Sequence, residues 1–224
     1  MSLQIGLLLY PNLTQLDLTG PFEVFSHMPD TKVHLIWKTL DPVSADTGMQ
    51  ILPTTTMSDC PDLDVICVPG GPGQIDIMDD EEVLDFVRTQ GEGAKFVTSV
   101  CTGSLLLGAA GLLEGYKAST YWACTDMLEG YGAAYVKGRV IKDRNRITGG
   151  GVTAGIDFAL TVVAELLREQ AAKMIQLAIE YNPAPPFNSG HPDVADPELV
   201  ATLTAMMEGR LETRRLQATA AAEG

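Results

Sequence analysis

KFVTSVCTGSLLLGAAGLL, residues 95–113, changes its period at the cysteine, and that change fixes the class of fold. Lys95 to Val100 is an apolar run of strand length, and from Thr102 onward the spacing becomes helical. The same step recurs along the chain. LQIGLLLY at 3–10 precedes PFEVFSHM at 21–28, LDVICVPG at 63–70 precedes DEEVLDFVRTQ at 80–90, and KVHLIW at 32–37 supplies a further strand. Such alternation predicts an α/β fold of right-handed crossovers around a largely parallel sheet. Beyond it, GRVIKDRNRITGGG at 138–151 predicts paired strands about Asp143 to Asn145. Thr153 to Tyr181 then reads as one long helix or two, with Ala159, Leu160, Val163, Leu166 and Leu167 covering the sheet. The prolines of PAPPFNSGHP at 183–192 forbid a continuing helix and favour extended chain. One helix follows, from Pro197 to Ala222, too short to fold alone. Residues 1–224 are therefore expected to form a single domain, with 183–224 an extension packed on it or on a partner subunit.

Composition narrows the function. The chain has 224 residues, 46% hydrophobic and 20% charged, which is globular usage. A net charge of -14 repels phosphate backbones and anionic lipid, so nucleic acid and membrane are not expected partners. Apolar stretches stop well short of the roughly 20 residues of a membrane helix. The start MSLQIGLLLYPNL lacks a basic region and a cleavage site, and reads as a first strand. Cysteines 60, 67, 101 and 124 form no C-x-x-C pair, and His27, His34 and His191 lie far apart, so neither a disulfide framework nor a metal site is expected. The redox reading is a reducing cytoplasm, and the partner that suits this charge is a small neutral molecule.

Ligands of open parallel sheets bind outside the carboxyl ends of the strands, where four loops stand out. PNLTQLDLTGP at 11–21 carries Asp17, read as a loop residue before a helix that Thr19 and Pro21 begin. PGGPG at 69–73 and GGGVTAG at 149–155 lack the Lys-Ser/Thr ending of a phosphate loop, so their glycines read as allowing close backbone approach. SVCTGS at 99–104 puts Cys101 on a nucleophile-elbow-like turn at a helix N-terminus, where N–H groups and the macrodipole lower a thiol's pKa. The N–H groups of Cys101, Thr102 and Gly71 are candidate donors to a developing anion. The bland alternatives are an inert buried cysteine at 101, as at Cys67 within its strand, and a solvated or capping carboxylate at 17. Glu23 is a second candidate acid for the same cleft.

Taken in order, QLDLTGPFEVF, DVICVPGGPG, VTSVCTGSLLLGAAGLL, TGGGVTAGIDFAL and EYNPAPPFNSG resemble the ThiJ/PfpI superfamily, and within it the bacterial isocyanide hydratases. LDLTGP with CTGS is also shared by ligand-sensing domains of AraC-type regulators. The resemblance implies a flavodoxin-like three-layer sandwich, usually a homodimer, with Cys101 as nucleophile, Asp17 as acid/base partner and Thr102 beside them. It implies hydration of an isocyanide to an N-substituted formamide without metal or organic cofactor. Thr102 Oγ and the backbone of Gly150, Gly151 and Val152 are then expected to orient Asp17 or the substrate, Gly71 to bind the substrate or its developing anion, and Tyr121 to line the pocket. Two departures matter. Thr102 replaces the His that follows the cysteine in proteolytic members, which argues against a Cys-His peptidase, and Tyr121 stands where relatives commonly carry His. The alternatives are a noncatalytic ligand or redox sensor using Cys101, and a glyoxalase- or deglycase-like enzyme acting on small carbonyl compounds.

Overall fold

The computed structural model describes residues 2–223. Seven strands form one sheet: β1 (Leu3–Leu8), β2 (Thr31–Trp37), β3 (Thr55–Thr56), β4 (Val65–Val68), β5 (Phe96–Val100), β6 (Val140–Asp143) and β7 (Arg146–Gly149). Their order is β6-β7-β5-β4-β1-β2-β3, and every pairing is parallel except β6 with β7. β4 and β7 are buried at all four positions, as expected for strands covered on both faces. The strand–helix alternation predicted this mostly parallel α/β sheet, and its flavodoxin-like arrangement is the one the family resemblance implied.

Among the described residues there are six α-helices, of which the first four pack against the sheet: α1 (Gln15–Ser26), α2 (Glu81–Gly93), α3 (Gly103–Ala109), α4 (Ala154–Leu166), α5 (Glu169–Ala178) and α6 (Pro197–Glu223). α1 packs on α4, which also packs on α5, while α2 packs on α3. Asp80 caps α2 by accepting the Val83 N–H, 3.3 Å away. The 153–181 stretch forms two helices, and the Asp143–Asn145 region is the β6–β7 hairpin.

Two boundaries differ from the sequence reading. α1 begins at Gln15, so Asp17 is a first-turn helix residue and Pro21 lies inside the helix. Tertiary packing overrides the proline signal here: Gly155 of α4 fits against the Pro21 ring, where a Cβ would stand 3.0 Å from Cδ. α3 is also shorter than its apolar spacing suggested. Gly111, at φ +77°, turns the chain out of the helix while Leu112 and Leu113 stay buried.

The C-terminal helix α6 packs along the 3-10 segment Trp122–Tyr131 and touches the segment Pro72–Ile77 that follows β4. Among the described residues no helix is long and apolar enough to cross a membrane.

Candidate active site

β1 and β4 are neighbours whose following connections run in opposite directions, to β2 on one side and β5 on the other. This is the switch point at which the carboxyl edge of such a sheet opens into a crevice. Asp17 follows β1, Gly70 and Gly71 follow β4, and Cys101 follows β5.

Cys101 is held at φ 55°, a left-handed conformation that costs a non-glycine residue about 1–3 kcal/mol and marks an imposed turn. The surroundings enforce it. The Cys101 N–H donates to the carbonyls of Gly149 (3.1 Å) and Gly150 (2.8 Å). Its own carbonyl accepts from Thr120 Oγ1 (3.0 Å) and Ser104 Oγ (3.2 Å). Gly103 lets the elbow press against β4, since a Cβ there would lie 2.1 Å from the Val68 oxygen.

Asp17 is wholly buried, and its Oδ2 accepts the Gly70 N–H at 2.9 Å. It stands three residues after Thr14, yet it is not the reciprocal partner of a capping box. The Thr14 N–H donates to the Gly70 carbonyl at 2.9 Å instead. A Cβ on Gly70 would lie 2.6 Å from the Thr102 nitrogen, 2.8 Å from Thr102 Oγ1 and 2.9 Å from Asp17 Oδ2. Asp17, Thr102 and the Gly70 backbone therefore meet at one point that only glycine leaves open.

Burial pushes the Asp17 carboxyl up to about 7, against the Gly70 N–H and the Cys101 thiol, with Asp46 adding to the rise. The contact of carboxyl with thiol falls short of hydrogen-bond geometry, and Oδ1 is left without a partner. That oxygen is free to take a proton.

The thiol departs from expectation. Burial pushes Cys101 well above its ordinary value, and the Asp17 charge adds to this; the Thr102 N–H and Arg214 oppose it. Desolvation outweighs the helix terminus because Cys101 is 6% exposed and α3 is only seven residues long. At neutral pH the pair therefore carries one proton on the sulfur and a second that leaves the carboxyl near 7.

Two of the three candidate anion donors are already engaged. The Cys101 N–H is held by Gly149 and Gly150, and the Gly71 N–H donates to Thr102 Oγ1 at 3.1 Å. The Thr102 N–H instead faces Cys101. Gly150, Gly151, Val152 and Tyr121 line a cavity of about 670 Å3. Ser189 to Asp193 of the proline-rich arm, with Leu199 and Leu203 of α6, form its other wall. Cys101 is not in that wall, but Thr120 and Gly150, which hold its backbone, are. Tyr121 leans on Trp122, ring centroids 5.4 Å apart. Glu23 does not join the site: it is exposed and pairs with His27.

Three contributors escaped the sequence reading. Gly70 holds the Asp17 carboxyl through its N–H, a role not assigned to any residue of the PGGPG loop from the sequence. Tyr10, fully buried at the end of the first strand run, bonds the Pro69 carbonyl at 2.8 Å and feels both Asp17 and Cys101. Its place at a carboxyl edge was the available signal. Arg214 reaches the site from α6, with no local signal at all. Among the described residues no three His, Cys, Asp or Glu side chains are grouped to hold a metal, and the four cysteines are free.

Residues 4–165 match the model of the DJ-1/PfpI family. The chain is 58% identical over 200 residues to an isonitrile hydratase of Pseudomonas putida, covering 89% of this chain and 88% of that one. It is 32% identical over 185 residues to an HTH-type transcriptional regulator of Pseudomonas aeruginosa, covering 78% of this chain and 50% of the regulator. Among solved structures, a THiJ/PfpI family protein from Pseudomonas syringae superposes with a TM-score of 0.95 at 44% identity, covering 97% of this chain and 91% of its own. Drosophila melanogaster DJ-1beta superposes at 0.73 with 25% identity, covering 80% and 98%.

Proposed function

The chain belongs to the DJ-1/PfpI family, and we propose that within it the protein is an isocyanide hydratase, a hydro-lyase that adds water to an isocyanide to give an N-substituted formamide. The observation that carries this reading is the juxtaposition of a strained, buried cysteine with a buried carboxyl whose pKa lies near 7. Likeness to the P. putida enzyme over most of both chains supports it.

The chemistry follows from the shared proton. Asp17 carboxylate removes the Cys101 proton as the sulfur attacks the terminal carbon of the isocyanide, and returns that proton to the same carbon. A thioimidate results, with the carboxylate restored. Asp17 then takes a proton from water as its oxygen adds to the thioimidate carbon, and that proton passes to nitrogen. Collapse expels the sulfur, which recovers the hydroxyl proton, and the formamide leaves. No proton or electron is gained or lost by the protein. Thr102 stands beside the pair, its N–H facing the sulfur. Gly150, Gly151, Val152 and Tyr121, which line the cavity beside the residues that hold the Cys101 backbone, serve in this reading as the substrate's approach, and the chain works as a cytoplasmic homodimer. Exposed Met174, Leu177 and Phe187 support a partner on the C-terminal third.

Purified protein supplied with cyclohexyl isocyanide should release N-cyclohexylformamide, followed by loss of the isocyanide infrared stretch. Consumption of methylglyoxal with no action on the isocyanide would replace this reading with the glyoxalase-like one.

The pH dependence has a definite sign. Below about 7 both Asp17 and Cys101 are protonated and the carboxyl cannot accept the thiol proton. kcat/KM should therefore rise with pH through an acid limb near 7. A flat profile between pH 5 and 8 would remove Asp17 as the base.

A further inference from the structure

The buried face of α6 is formed by Leu211, Arg214 and Ala218, which recur at the three- and four-residue spacing of one helix face. An aliphatic side chain suits such a position, yet it holds an arginine that is 6% exposed. Desolvating a guanidinium is expensive unless it is hydrogen-bonded and electrically balanced. No carboxylate among the described residues pairs with it, whereas the next residue, Arg215, is exposed and paired with Asp126 and Glu208.

The guanidinium reaches the loop after β4. Its Nε donates to Gln74 Oε1 at 2.8 Å, and a terminal nitrogen donates to the Gly71 carbonyl at 2.9 Å. Gly71 is confined there: at φ 146°, with a Cβ that would stand 2.5 Å from the Thr14 nitrogen, only glycine fits. The N–H of that residue holds Thr102 Oγ1, and the N–H of Gly70 holds Asp17. One cation is thus bonded to the short loop that positions both neighbours of Cys101.

We infer that Arg214 is a positioning residue for the Cys101–Asp17 pair, fixing the Gly70–Gly71 loop by its bond to the Gly71 carbonyl and supplying the positive charge that balances the single negative charge the pair shares. The groups facing the pair are Tyr10, Tyr121 and Cys124 around the sulfur, with Asp46 and Cys67 around the carboxyl. None of these is cationic. Arg214 favours the ionised form of Tyr10, Cys101 and Cys124 alike, as a buried positive centre among them must. The C-terminal helix is then part of the reaction machinery and not merely cover for the 122–131 segment.

This inference rests on the hydratase reading for its turnover readout alone; alkylation of Cys101 tests it independently. Arg214→Gln, folded by circular dichroism, should react with iodoacetamide at pH 8 about tenfold more slowly at Cys101 than the parent, as a thiol pKa about one unit higher would give. The acid limb of kcat/KM should move upward from about 7. Gln74→Glu keeps an oxygen for the Arg214 Nε and replaces a Gln74 Nε2 that has no partner. Because it sets a countercharge on the guanidinium, it should slow alkylation in the same direction with Arg214 in place, and it carries the test if Arg214→Gln does not fold. Parent-like alkylation in folded Arg214→Gln, or in Gln74→Glu, overturns the inference. Absence of isocyanide turnover in the parent would sink the hydratase reading and leave the alkylation comparison decisive.

Discussion

In Cys101→Ala, hydration should fall to the uncatalysed background, a loss of roughly 10^4-fold or more, while the protein stays folded. The loss is this large because every covalent step passes through the sulfur and no other thiol can substitute. Cys67 lies within β4 with its thiol pushed up to about 12 by burial, and Cys124 is buried in the 3-10 segment with its own at about 11. The fold survives because alanine keeps the Cβ, and the bonds that impose the left-handed turn are made by the backbone of residue 101. Stability should drop by only about 1 kcal/mol for the lost sulfur contacts. Mass spectrometry of the parent with excess isocyanide should show one adduct on the peptide carrying Cys101, and none on the variant. Turnover in Cys101→Ala above one hundredth of the parent's would sink covalent catalysis at this residue.

Asp17→Asn should be the more instructive variant, because it separates making the nucleophile from moving the proton. The amide keeps an oxygen for the Gly70 N–H but cannot carry a proton between sulfur and carbon, so turnover should fall roughly 10^2- to 10^4-fold. Removing the carboxylate also removes a charge that raises the thiol, so iodoacetamide should alkylate Cys101 faster than in the parent. A more reactive sulfur in a slower enzyme is the signature of a proton carrier. Equal changes in both rates would instead make Asp17 a group that merely tunes the thiol.

The same substitution should stabilise the fold, with a sign fixed by linkage. The carboxyl titrates near 3.8 when unfolded and near 7 in the native protein, so the native state binds more protons across that interval. Stability from this group is complete below about 4 and is lost as pH rises through about 7. Each tenfold weakening of the acid is worth about 1.4 kcal/mol, which bounds the cost of ionised Asp17 at about 4 kcal/mol. Asp17→Asn should thus gain little at pH 4 and about 2–4 kcal/mol at pH 8, measured by urea denaturation. Equal gains at both pH values would mean that burial does not penalise the carboxylate.

Much of the architecture was legible because its causes are local. Period-2 and period-3.6 patterns place faces of strands and helices, and chain order alone places Asp17, Gly70 and Cys101 on one sheet edge. The boundaries read wrongly are those where distant packing overrides a local rule. Pro21 sits within α1 because α4 supplies Gly155 against its ring, and α3 stops at Gly111 although Leu112 and Leu113 continue the apolar run.

The parallel α/β sheet, the cysteine at its elbow and the carboxylate on the same edge follow from the order of residues, since the alternation of strand and helix and the side-chain periodicity are written in near neighbours. Three things emerged only from the folded chain: the direction of the thiol's pKa, the identity of Gly70 as the anchor of Asp17, and the entry of Arg214 from more than one hundred residues away. Those depend on desolvation and charge acting through space, and such energies follow the distance between groups and their burial, neither of which spacing along a chain encodes.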